Sequence, residues 1–368
     1  MLPRSCSDSI RRDVLPQRYW CTCTAAIAVA GGRPVKVLVT GGAGFIGSHV
    51  AEAYCARGHE VIVLDSFVTG RRENVPRGIR VVEMDIRSPS VREFLASERF
   101  DAINHHAALI SVPDSFRRPV EYADVNVVGT VNLLQAAVES HVRTFIFIST
   151  CAVYAESRHL PYEETHPVGP GDPYGTSKLA AELYVQMYAK QYSSLRSVIL
   201  RYGNVYGPRQ QVYGEGNLIA VCIERLHEGQ QPVIFGDGSH TRDYVYVGDV
   251  AELNCRVLEQ PISGVFNVGT GQQRSVLDVY ATVARTLDAP YAPVFGPPRR
   301  EQAHVALSSQ RLQQATGWMP KTTFDDGIQR TAAWYRTQLQ KWDATPAEHS
   351  LDPATGADDS ARVGNRPR

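Results

Sequence analysis

The stretch Val35–Tyr54, VKVLVTGGAGFIGSHVAEAY, contains the signal that decides the fold. Its first residues, Val35–Thr40, are an apolar run that predicts a buried strand, and a glycine-rich turn then opens into a helical pattern. Gly41, Gly44 and Gly47 have the spacing G-x-x-G-x-x-G. Glycines there permit a tight turn and let the backbone approach a pyrophosphate, which the N-terminus of the following helix attracts. The stretch therefore predicts a strand–loop–helix unit that binds a dinucleotide.

A carboxylate closes the second predicted strand, Glu60–Asp65. Asp65 lies 18 positions after Gly47, where a carboxylate accepts both ribose hydroxyls of NAD and repels the 2′-phosphate of NADP. A glycine triplet alone is also typical of an ordinary turn, and a strand-end aspartate is also typical of a turn cap. The strand before the glycines, the helix after them and Asp65 together favour an NAD site. A second strand-end pair, Asp85-Ile86, has side chains suited to bracket the adenine.

Strand-like runs alternate with segments of helical spacing between residues 35 and 203. The runs are rich in Val, Ile and Leu, as parallel strands covered on both faces require. They are Val35–Thr40, Glu60–Asp65, Ile79–Met84, Asp101–His106, Thr144–Thr150 and Ser197–Tyr202. Such alternation predicts an α/β fold with a Rossmann-type doubly wound parallel sheet. After Asn204 the pattern breaks into loops rich in glycine and proline, which predicts a smaller C-terminal substrate lobe.

These patterns divide the chain into four parts. Residues 1–34 are expected to be a disordered extension, or the product of a start codon assigned too far upstream; a secretion signal is the less favoured alternative. Residues 35–203 are predicted to form the NAD-binding Rossmann domain, to which residues 245–270 return. Residues 204–342 are predicted to form mainly the substrate-binding lobe. Residues 343–368, rich in Ala, Asp, Pro, Gly and Ser, are predicted to be a disordered tail.

Composition and charge exclude several classes of protein. The 368 residues include 38 Lys plus Arg and 38 Asp plus Glu, so a strongly basic face for nucleic acid is not expected. No stretch approaches the roughly 18–20 uninterrupted apolar residues of a membrane span, which excludes an integral membrane protein. The seven cysteines include no CxxC pair, which argues against a paired zinc site and a disulfide scaffold. Reduced thiols in a cytoplasmic protein are therefore expected.

The segment Pro173–Tyr192 has helical spacing and carries Tyr174 and Lys178 on one face, four positions apart. A free tyrosine titrates near pH 10, so a neighbouring ammonium is needed to stabilise its phenolate at neutral pH. A tyrosine and a lysine at this spacing also arise by chance in surface helices. The preceding strand, however, ends in Ser149-Thr150, at the sheet edge where α/β proteins bind ligands. Thr150 is therefore predicted to hydrogen-bond the substrate oxygen that Tyr174 deprotonates, the alternative being that both hydroxyls merely cap the strand.

Several motifs occur in order between residues 35 and 342. They are TGGAGFIGS, HHAA at His105–Ala108, YADVNVVGT at Tyr122–Thr130, STCAVY, YGTSK, LRYGNVYGPRQ and GDGSHTRDYVYVGDVA. With these motifs the chain resembles the extended short-chain dehydrogenase/reductases. Within them it is most similar to the NAD-dependent nucleotide-sugar epimerases of the UDP-glucose 4-epimerase type. The resemblance implies a Rossmann-type fold, NAD held as a prosthetic group and a nucleotide-sugar substrate.

The resemblance also implies roles for individual residues. Tyr174 matches the family's base, Lys178 its partner, and Thr150 the residue that shares the substrate hydroxyl. Tyr174 would take the proton of the sugar 4-OH while C4 is oxidised, and the 4-keto sugar would turn over before reduction from its other face. The implied cofactor-binding residues, besides the Tyr–Lys pair, are Gly41, Gly44, Phe45, Ile46, Gly47, Asp65, Asp85, Ile86, Ala107 and Asn126. The implied substrate-binding residues, besides Thr150, are Ser111, Asn204, Asn217, Arg242, Arg299 and Ala306.

One departure from the family pattern leaves alternatives open. The segment Pro297–Ser309, PPRREQAHVALSS, lacks the family's R-x-G-D, so either Arg299 or Arg300 is expected to bind the diphosphate. The same one-residue uncertainty makes Ala306 or Leu307 the position that limits the space beside the sugar. An alanine there predicts that N-acetylated sugars are accepted.

Cys151-Ala152 stand where the 4,6-dehydratases of the same scaffold carry an Asp-Glu pair. Neither residue can serve as acid or base at C5 or C6, which favours simple epimerisation. Two alternatives stay open. One is another nucleotide-sugar-modifying enzyme, namely a dehydratase, decarboxylase or reductase. The other is a non-catalytic NAD-binding sensor, although such a protein need not keep the Tyr–Lys pair.

Two features concern metals and partners. His105 and His106 are adjacent on a strand and point to opposite faces, so no metal site is expected from them. The predicted helices Pro119–Ser140 and Tyr174–Tyr192 resemble the family's dimer interface, which predicts a homodimer. Their apolar positions would equally suit covering helices of a monomer.

Overall fold

The computed structural model describes residues 33–212, 217–298 and 302–343. The strands are β1 (Lys36–Thr40), β2 (Glu60–Asp65), β3 (Arg80–Glu83), β4 (Ala102–His105), β5 (Thr144–Thr150), β6 (Arg196–Tyr202), β7 (Asn204–Tyr206), β8 (Val233–Phe235), β9 (Thr241–Arg242), β10 (Tyr244–Tyr246), β11 (Gly264–Val268), β12 (Arg274–Ser275) and β13 (Val294–Gly296). The helices are α1 (Phe45–Ala56), α2 (Ser90–Glu98), α3 (Val112–Arg117), α4 (Pro119–Ala123), α5 (Gly129–Glu139), α6 (Pro173–Gln191), α7 (Leu218–His227), α8 (Val247–Glu259), α9 (Val276–Leu287), α10 (Gln310–Thr316) and α11 (Phe324–Asp343).

Seven parallel strands form the central sheet, in the order β11, β6, β5, β4, β1, β2, β3. The chain runs outward from β1 to β3 and then crosses back to β4 on the other side of β1. This reversal opens a crevice at the carboxyl ends of the strands, where open α/β sheets bind ligands. The six predicted strands are all present, with ends within one residue of those predicted, and the Rossmann-type doubly wound sheet is confirmed. β11 is an additional edge strand that no apolar run in the sequence predicted.

Helices cover both faces of the sheet, which explains the near-continuous apolar strands. Val37 and Val39 on β1 belong to the core that α1 and α8 cover. Leu38, between them, belongs to the opposite core, which is covered by α2, α5 and α6. The sheet is therefore sealed on both sides, and its carboxyl edge is left as the place for a site.

A smaller lobe follows the sheet along the chain. It contains three two-stranded sheets, which pair β7 with β10, β9 with β12, and β8 with β13. Helices α7, α9 and α11 share a separate core, in which Tyr206 and Tyr280 are buried. β11 and α8 instead belong to the central sheet and its core.

Some expectations need correction or fall outside the described residues. The helix predicted over Pro119–Ser140 consists of α4, a π-helical turn (Asp124–Val128) and α5, because the chain inserts a wider turn around Asn126.

Cys151, Cys222 and Cys255 are free thiols. The expectations for residues 1–34 and 343–368 concern segments outside the described residues, except at positions 33, 34 and 343. Among the described helices, none combines the length and the apolar content needed to cross a bilayer.

Candidate active site

The glycine loop joins β1 to α1 at the carboxyl edge of the sheet. Gly41 adopts a φ of +67°, and a Cβ on it would lie 2.6 Å from the backbone nitrogen of Ala107. A Cβ on Gly47 would lie 2.3 Å from the carbonyl oxygen of Gly41. Gly44 is the N-cap of α1, and its N–H donates to that same carbonyl at 3.1 Å. Only glycine fits this tight turn, which leaves the backbone at the start of α1 open to a pyrophosphate.

Residues around the glycine loop complete the predicted cofactor cradle. Phe45 and Ile46 form the first turn of α1 and are half-buried. Asp65 ends β2, and its carboxylate accepts the N–H of Ala43 at 3.0 Å and that of Phe67 at 2.8 Å. It therefore holds the glycine loop to the loop after β2, and its lone pairs suit the ribose hydroxyls of NAD. The close turn and the strand-end carboxylate both fit this cofactor.

Asp85 and Ile86 lie together at the end of β3 but in different surroundings. Ile86 is buried in the core beneath α5, where a Cβ on Gly129 would lie 2.6 Å from its Cδ1 atom. Asp85 is half-exposed and accepts from Arg87 at 2.7 Å, and this ion pair holds the pKa of Asp85 below its usual value. Arg87 also donates to Asp124 at 2.6 Å. Asp85 is thus engaged by Arg87, whereas Ile86 is buried against the start of α5.

Asn126 clamps the loop after β4 against α6. Its side-chain oxygen accepts the N–H of Leu109 at 2.8 Å, and its Nδ2 donates to the Leu109 carbonyl at 2.9 Å. The same Nδ2 donates to Ser177 on α6 at 2.9 Å. The loop contains Ala107, packed on Gly41, and Ser111, whose hydroxyl caps α3. The π-helical turn around Asn126 provides this geometry, and Ser177 was not predicted, although it lies within the YGTSK motif.

The two histidines after Asn104 lie at the end of β4 and at the position that follows it. The Nδ1 atom of His105 is 2.7 Å from the Thr40 hydroxyl, and its Nε2 atom is 2.9 Å from that of Thr130. Burial lowers the pKa of His105 well below its usual value and that of His106 to about 3. Both imidazoles are therefore neutral at physiological pH.

Helix α6 begins where its first turn meets the end of β5. Asp172 caps the helix by accepting the N–H of Gly175 at 2.8 Å, and Pro173 occupies the first helical position. A Cβ on Gly175 would lie 2.5 Å from the carbonyl oxygen of Ala152. This close approach places Tyr174 against Thr150, the last residue of β5.

The Tyr174 and Lys178 side chains share one face of α6, on which Tyr174 is half-buried and Lys178 is buried. Burial raises the pKa of Tyr174 well above its usual value, while the Thr150 hydroxyl favours the ionised form and opposes that effect. Lys178 is 4% exposed, and its Nζ lies 4.2 Å from the centre of the Phe147 ring. Burial lowers the pKa of Lys178 to about 7. The arrangement provides a phenol that needs positive charge to ionise and a lysine that exchanges its proton near neutrality.

Several of the predicted substrate-binding residues lie on the second lobe. Arg242 on β9 is half-buried, and its positive charge acts on the Cys151 thiol beside Thr150. Asn204 begins β7, and its backbone N–H donates to the Asp243 carbonyl at 2.8 Å. Asn217 precedes α7 and accepts from Gln210 at 3.4 Å.

The two residues predicted to limit the space beside the sugar are both on the segment after the undescribed residues 299–301. Ala306 is buried, and its carbonyl accepts the N–H of Tyr162 at 2.8 Å. Leu307, the alternative position, is also buried, and its N–H donates to Asp243 at 3.0 Å. Arg299 and Arg300 lie outside the described residues.

Asp243 organises this lobe and was not predicted from the sequence. Its fully buried carboxylate accepts three backbone N–H groups, from Thr270 at 2.8 Å, Gly271 at 2.9 Å and Leu307 at 3.0 Å. The Thr270 hydroxyl donates to it as well. Since Asp243 follows Arg242 directly, this anchor fixes the backbone from which the arginine reaches toward the site.

Comparisons with known proteins decide the family. A sequence model of the NAD dependent epimerase/dehydratase family matches residues 37–269, which is more than half of the chain. The protein belongs to this family. The chain is 38% identical over 314 residues to UDP-glucose 4-epimerase of Mycolicibacterium smegmatis, with 83% of this chain and 100% of the relative covered.

Solved structures of epimerases share the fold of this family member. UDP-glucose 4-epimerase from Thermotoga maritima, crystallised with UDP-glucose, matches with a TM-score of 0.80 and 37% identity, covering 83% of this chain and 99% of that chain. UDP-glucose 4-epimerase from Thermus thermophilus, in complex with NAD, matches with a TM-score of 0.78 and 42% identity, covering 82% and 99%. The predicted family, the fold, the enzyme class and the NAD cofactor are confirmed.

Proposed function

We propose that this protein is an NAD-dependent nucleotide-sugar 4-epimerase, which inverts C4 of a hexose linked to a nucleoside diphosphate. The observation that carries the proposal is the grouping of Thr150, Tyr174 and Lys178 at the carboxyl edge of β5. This edge lies two strands from the glycine loop, in the same crevice. A proton-accepting pair beside a dinucleotide cradle supports reversible oxidation of a sugar hydroxyl.

The residues of the chain handle the proton. The chemistry that NAD supplies when bound is reversible oxidation at C4, which passes through a 4-keto sugar. Tyr174 accepts the proton of the 4-OH during oxidation and returns it during reduction. Thr150 hydrogen-bonds the same oxygen, and the Lys178 ammonium stabilises the phenolate. With a pKa of about 7, Lys178 is partly protonated at neutral pH and is ready to supply this charge.

The residues after Thr150 support epimerisation rather than dehydration. Elimination across C5 and C6 needs a second acid–base pair beside the sugar. Burial raises the pKa of the Cys151 thiol to about 11, so the thiol stays protonated and is a poor base at neutral pH. Ala152, which follows it, has no titratable group. Tyr174 is therefore proposed as the group that exchanges a proton with the sugar, which is what inversion at C4 requires.

The second lobe is proposed to hold the nucleotide. Arg242 suits the diphosphate, because a guanidinium forms paired hydrogen bonds with phosphate oxygens. Asn204 and Asn217 are proposed to bind the same substrate, with Arg299 or Arg300 as a second phosphate ligand. Ala306 is proposed to line the sugar pocket, which would admit an N-acetyl group in addition to an unsubstituted hexose.

A homodimer is the proposed assembly. Apolar side chains are exposed along α4, α6 and the turn between α4 and α5. They are Val120 (81% exposed), Leu183 (59%), Val128 (55%), Met187 (47%) and Tyr184 (41%). Two copies packing these helices together would cover this surface, as exposed apolar patches generally require. Sedimentation of the purified protein, with Leu183→Glu as the disrupting variant, tests this assembly.

A cytoplasmic location is also proposed. In the part of the chain that the structure describes, Cys151, Cys222 and Cys255 are free thiols, which supports a reducing compartment. Cell fractionation with an antibody to the full chain tests the location.

A substrate panel tests the proposed function. The purified holoprotein is incubated with UDP-, GDP- and dTDP-hexoses, and C4 inversion is followed by chromatography of the products. Conversion of UDP-glucose and UDP-galactose into each other supports the proposal. Release of water with a stable 4-keto product would identify a dehydratase instead. Bound NAD without any change in nicotinamide absorbance on addition of sugars would identify a non-catalytic sensor.

A further inference from the structure

The buried face of α6 continues beyond the catalytic pair. Tyr174, Lys178 and Glu182 follow one another at intervals of four residues, so they lie along one side of the helix. Glu182 is fully buried, with 0% of its surface exposed. Burying a carboxylate is costly unless it is paired, and Glu182 cannot touch a substrate from this position. The residue therefore needs an explanation that the proposed reaction does not supply.

Glu182 is held by two residues that face each other across neighbouring strands. Arg201 on β6 donates from Nε to one carboxylate oxygen at 3.0 Å and from Nη2 to the other at 2.6 Å. The Ser149 hydroxyl on β5 donates to the first of these oxygens. Ser149 and Arg201 are direct partners in the pairing of β5 with β6. The Glu182 carboxylate thus attaches α6 to β5 and β6 at the position where Ser149 pairs with Arg201.

The same face of β5 also carries the contact with Lys178. Phe147 lies two residues before Ser149, so both side chains point toward α6. The Phe147 ring contacts the Lys178 Nζ, and Ser149 contacts Glu182. Phe147 and Ser149, which make these two contacts, lie three residues and one residue before Thr150 on β5. A shift of the Glu182 anchor would therefore move the catalytic helix relative to the hydroxyl with which it must cooperate.

We propose that Glu182, anchored by β5 and β6, is a positioning residue for the catalytic helix: it fixes the register of α6 and presents a negative charge to Lys178. This inference rests on the proposed roles of Tyr174 and Lys178. It adds a second determinant of the reaction, which acts through the lysine and not on the sugar.

The electrostatic surroundings agree with this role. Burial lowers the pKa of Lys178 to about 7, and the charge of Glu182 raises it against that trend. Among the described residues, the other titratable or charged groups around this face are His105, His106, Tyr122, Cys151, Tyr154, Asp172 and Arg201. The histidines are neutral because burial lowers their pKa values, and Asp172 is engaged in capping the helix. Glu182 is therefore the group whose charge opposes the effect of burial on the pKa of Lys178.

The test measures kcat and KM against pH in the full-length, NAD-loaded enzyme. Glu182→Gln keeps the size of the side chain and removes its charge, so the pKa of Lys178 falls. The alkaline limb of the kcat profile then moves to lower pH by about one unit, the smaller end of the effect of a nearby charge. Above that limb, a one-unit shift lowers the ammonium fraction, and with it kcat, about tenfold. KM for the nucleotide sugar stays unchanged, because the residue does not reach the substrate.

Three further variants distinguish the effect of the Glu182 charge on kcat from the effects of helix position and of impaired folding. Glu182→Asp retains the charge, so the alkaline limb stays in place, while kcat falls because the shorter side chain loosens the register. The double variant Glu182→Gln/Arg201→Met removes both buried charges, which generally costs little stability. Its alkaline limb should move in the same direction as that of Glu182→Gln, by a smaller amount, because a nearby positive charge is removed as well. Lys190→Gln removes an exposed charge from the last turn of α6 and should leave the profile unchanged.

The proposal is overturned if the alkaline limbs of both Glu182→Gln and the double variant coincide with the wild-type limb. Glu182 and Arg201 would then form a purely structural ion pair. Tyr174→Phe distinguishes this result from failure of the proposed function. If Tyr174→Phe retains wild-type turnover, the assignment of the base is wrong, whatever the Glu182 variants do. If Tyr174→Phe is inactive and the limbs do not move, only the positioning role is refuted.

Discussion

Replacing Tyr174 by phenylalanine tests the proposed chemistry with a very small structural change. The substitution removes one oxygen from the first turn of α6. The Thr150 hydroxyl still accepts the N–H of Ala152 at 3.2 Å, so it keeps a hydrogen-bond partner. The cost to folding is therefore about 1 kcal/mol, the net value of one hydrogen bond. The cost to turnover is larger, because a general base contributes roughly 10²–10⁴-fold, or about 3–5 kcal/mol in the activation free energy.

The assay compares turnover with cofactor content in the same preparation. Conversion of UDP-galactose into UDP-glucose gives kcat, and NAD released on denaturation gives the fraction of loaded enzyme. NAD content should equal that of the wild type, because the glycine loop and Asp65 lie on other strands. Tyr192→Phe, at the opposite end of α6, is the matched control and should retain full activity. Turnover above about a tenth of the wild-type value in NAD-loaded Tyr174→Phe would refute the assignment of the base.

Three further outcomes are expected. Asp65→Arg should weaken NAD and improve NADP binding in titrations of both cofactors, because the ribose hydroxyls lose an acceptor while a phosphate gains a cation; equal affinity of the wild type for both would contradict this role. The wild-type enzyme should convert UDP-GlcNAc as well as UDP-glucose, since Ala306, the residue proposed to limit the sugar pocket, has a small side chain; turnover of UDP-glucose alone would rule out the open pocket. Asp243→Asn should lower the free energy of unfolding by about 2–3 kcal/mol in urea denaturation, because the carboxylate accepts three backbone N–H groups. An unchanged urea midpoint would show that these bonds contribute little.

The parts of the fold that the sequence predicts are those with local causes. Strands such as β2 and β5 are nearly continuous apolar runs, because helices cover them on both sides, and their predicted and observed bounds coincide. The glycine loop is equally local. Gly41 needs a positive φ and Gly47 has no room for a Cβ, so both requirements appear in the sequence as residue types at fixed spacing.

Elements whose structure depends on distant partners were harder to predict. β11 is short and follows a proline-containing segment, and only its pairing with β6 makes it part of the central sheet. The π-helical turn around Asn126 has an ordinary helical sequence. Its widened geometry is associated with the hydrogen bonds from Asn126 to Leu109 and Ser177, which lie in other parts of the chain.

The residues of the candidate site also differ in whether their role can be predicted from the local sequence. The Tyr174–Lys178 spacing is visible in the sequence, because both residues belong to one helix. Glu182 continues that spacing, but an acidic residue on a helix is ordinarily a solvent-exposed one, and nothing nearby in the sequence indicates burial. Its burial depends on Arg201, 19 residues later, and on the register that brings this arginine opposite Ser149. The groups that carry out proton transfer are therefore encoded locally, whereas the charge that adjusts them depends on how two strands align.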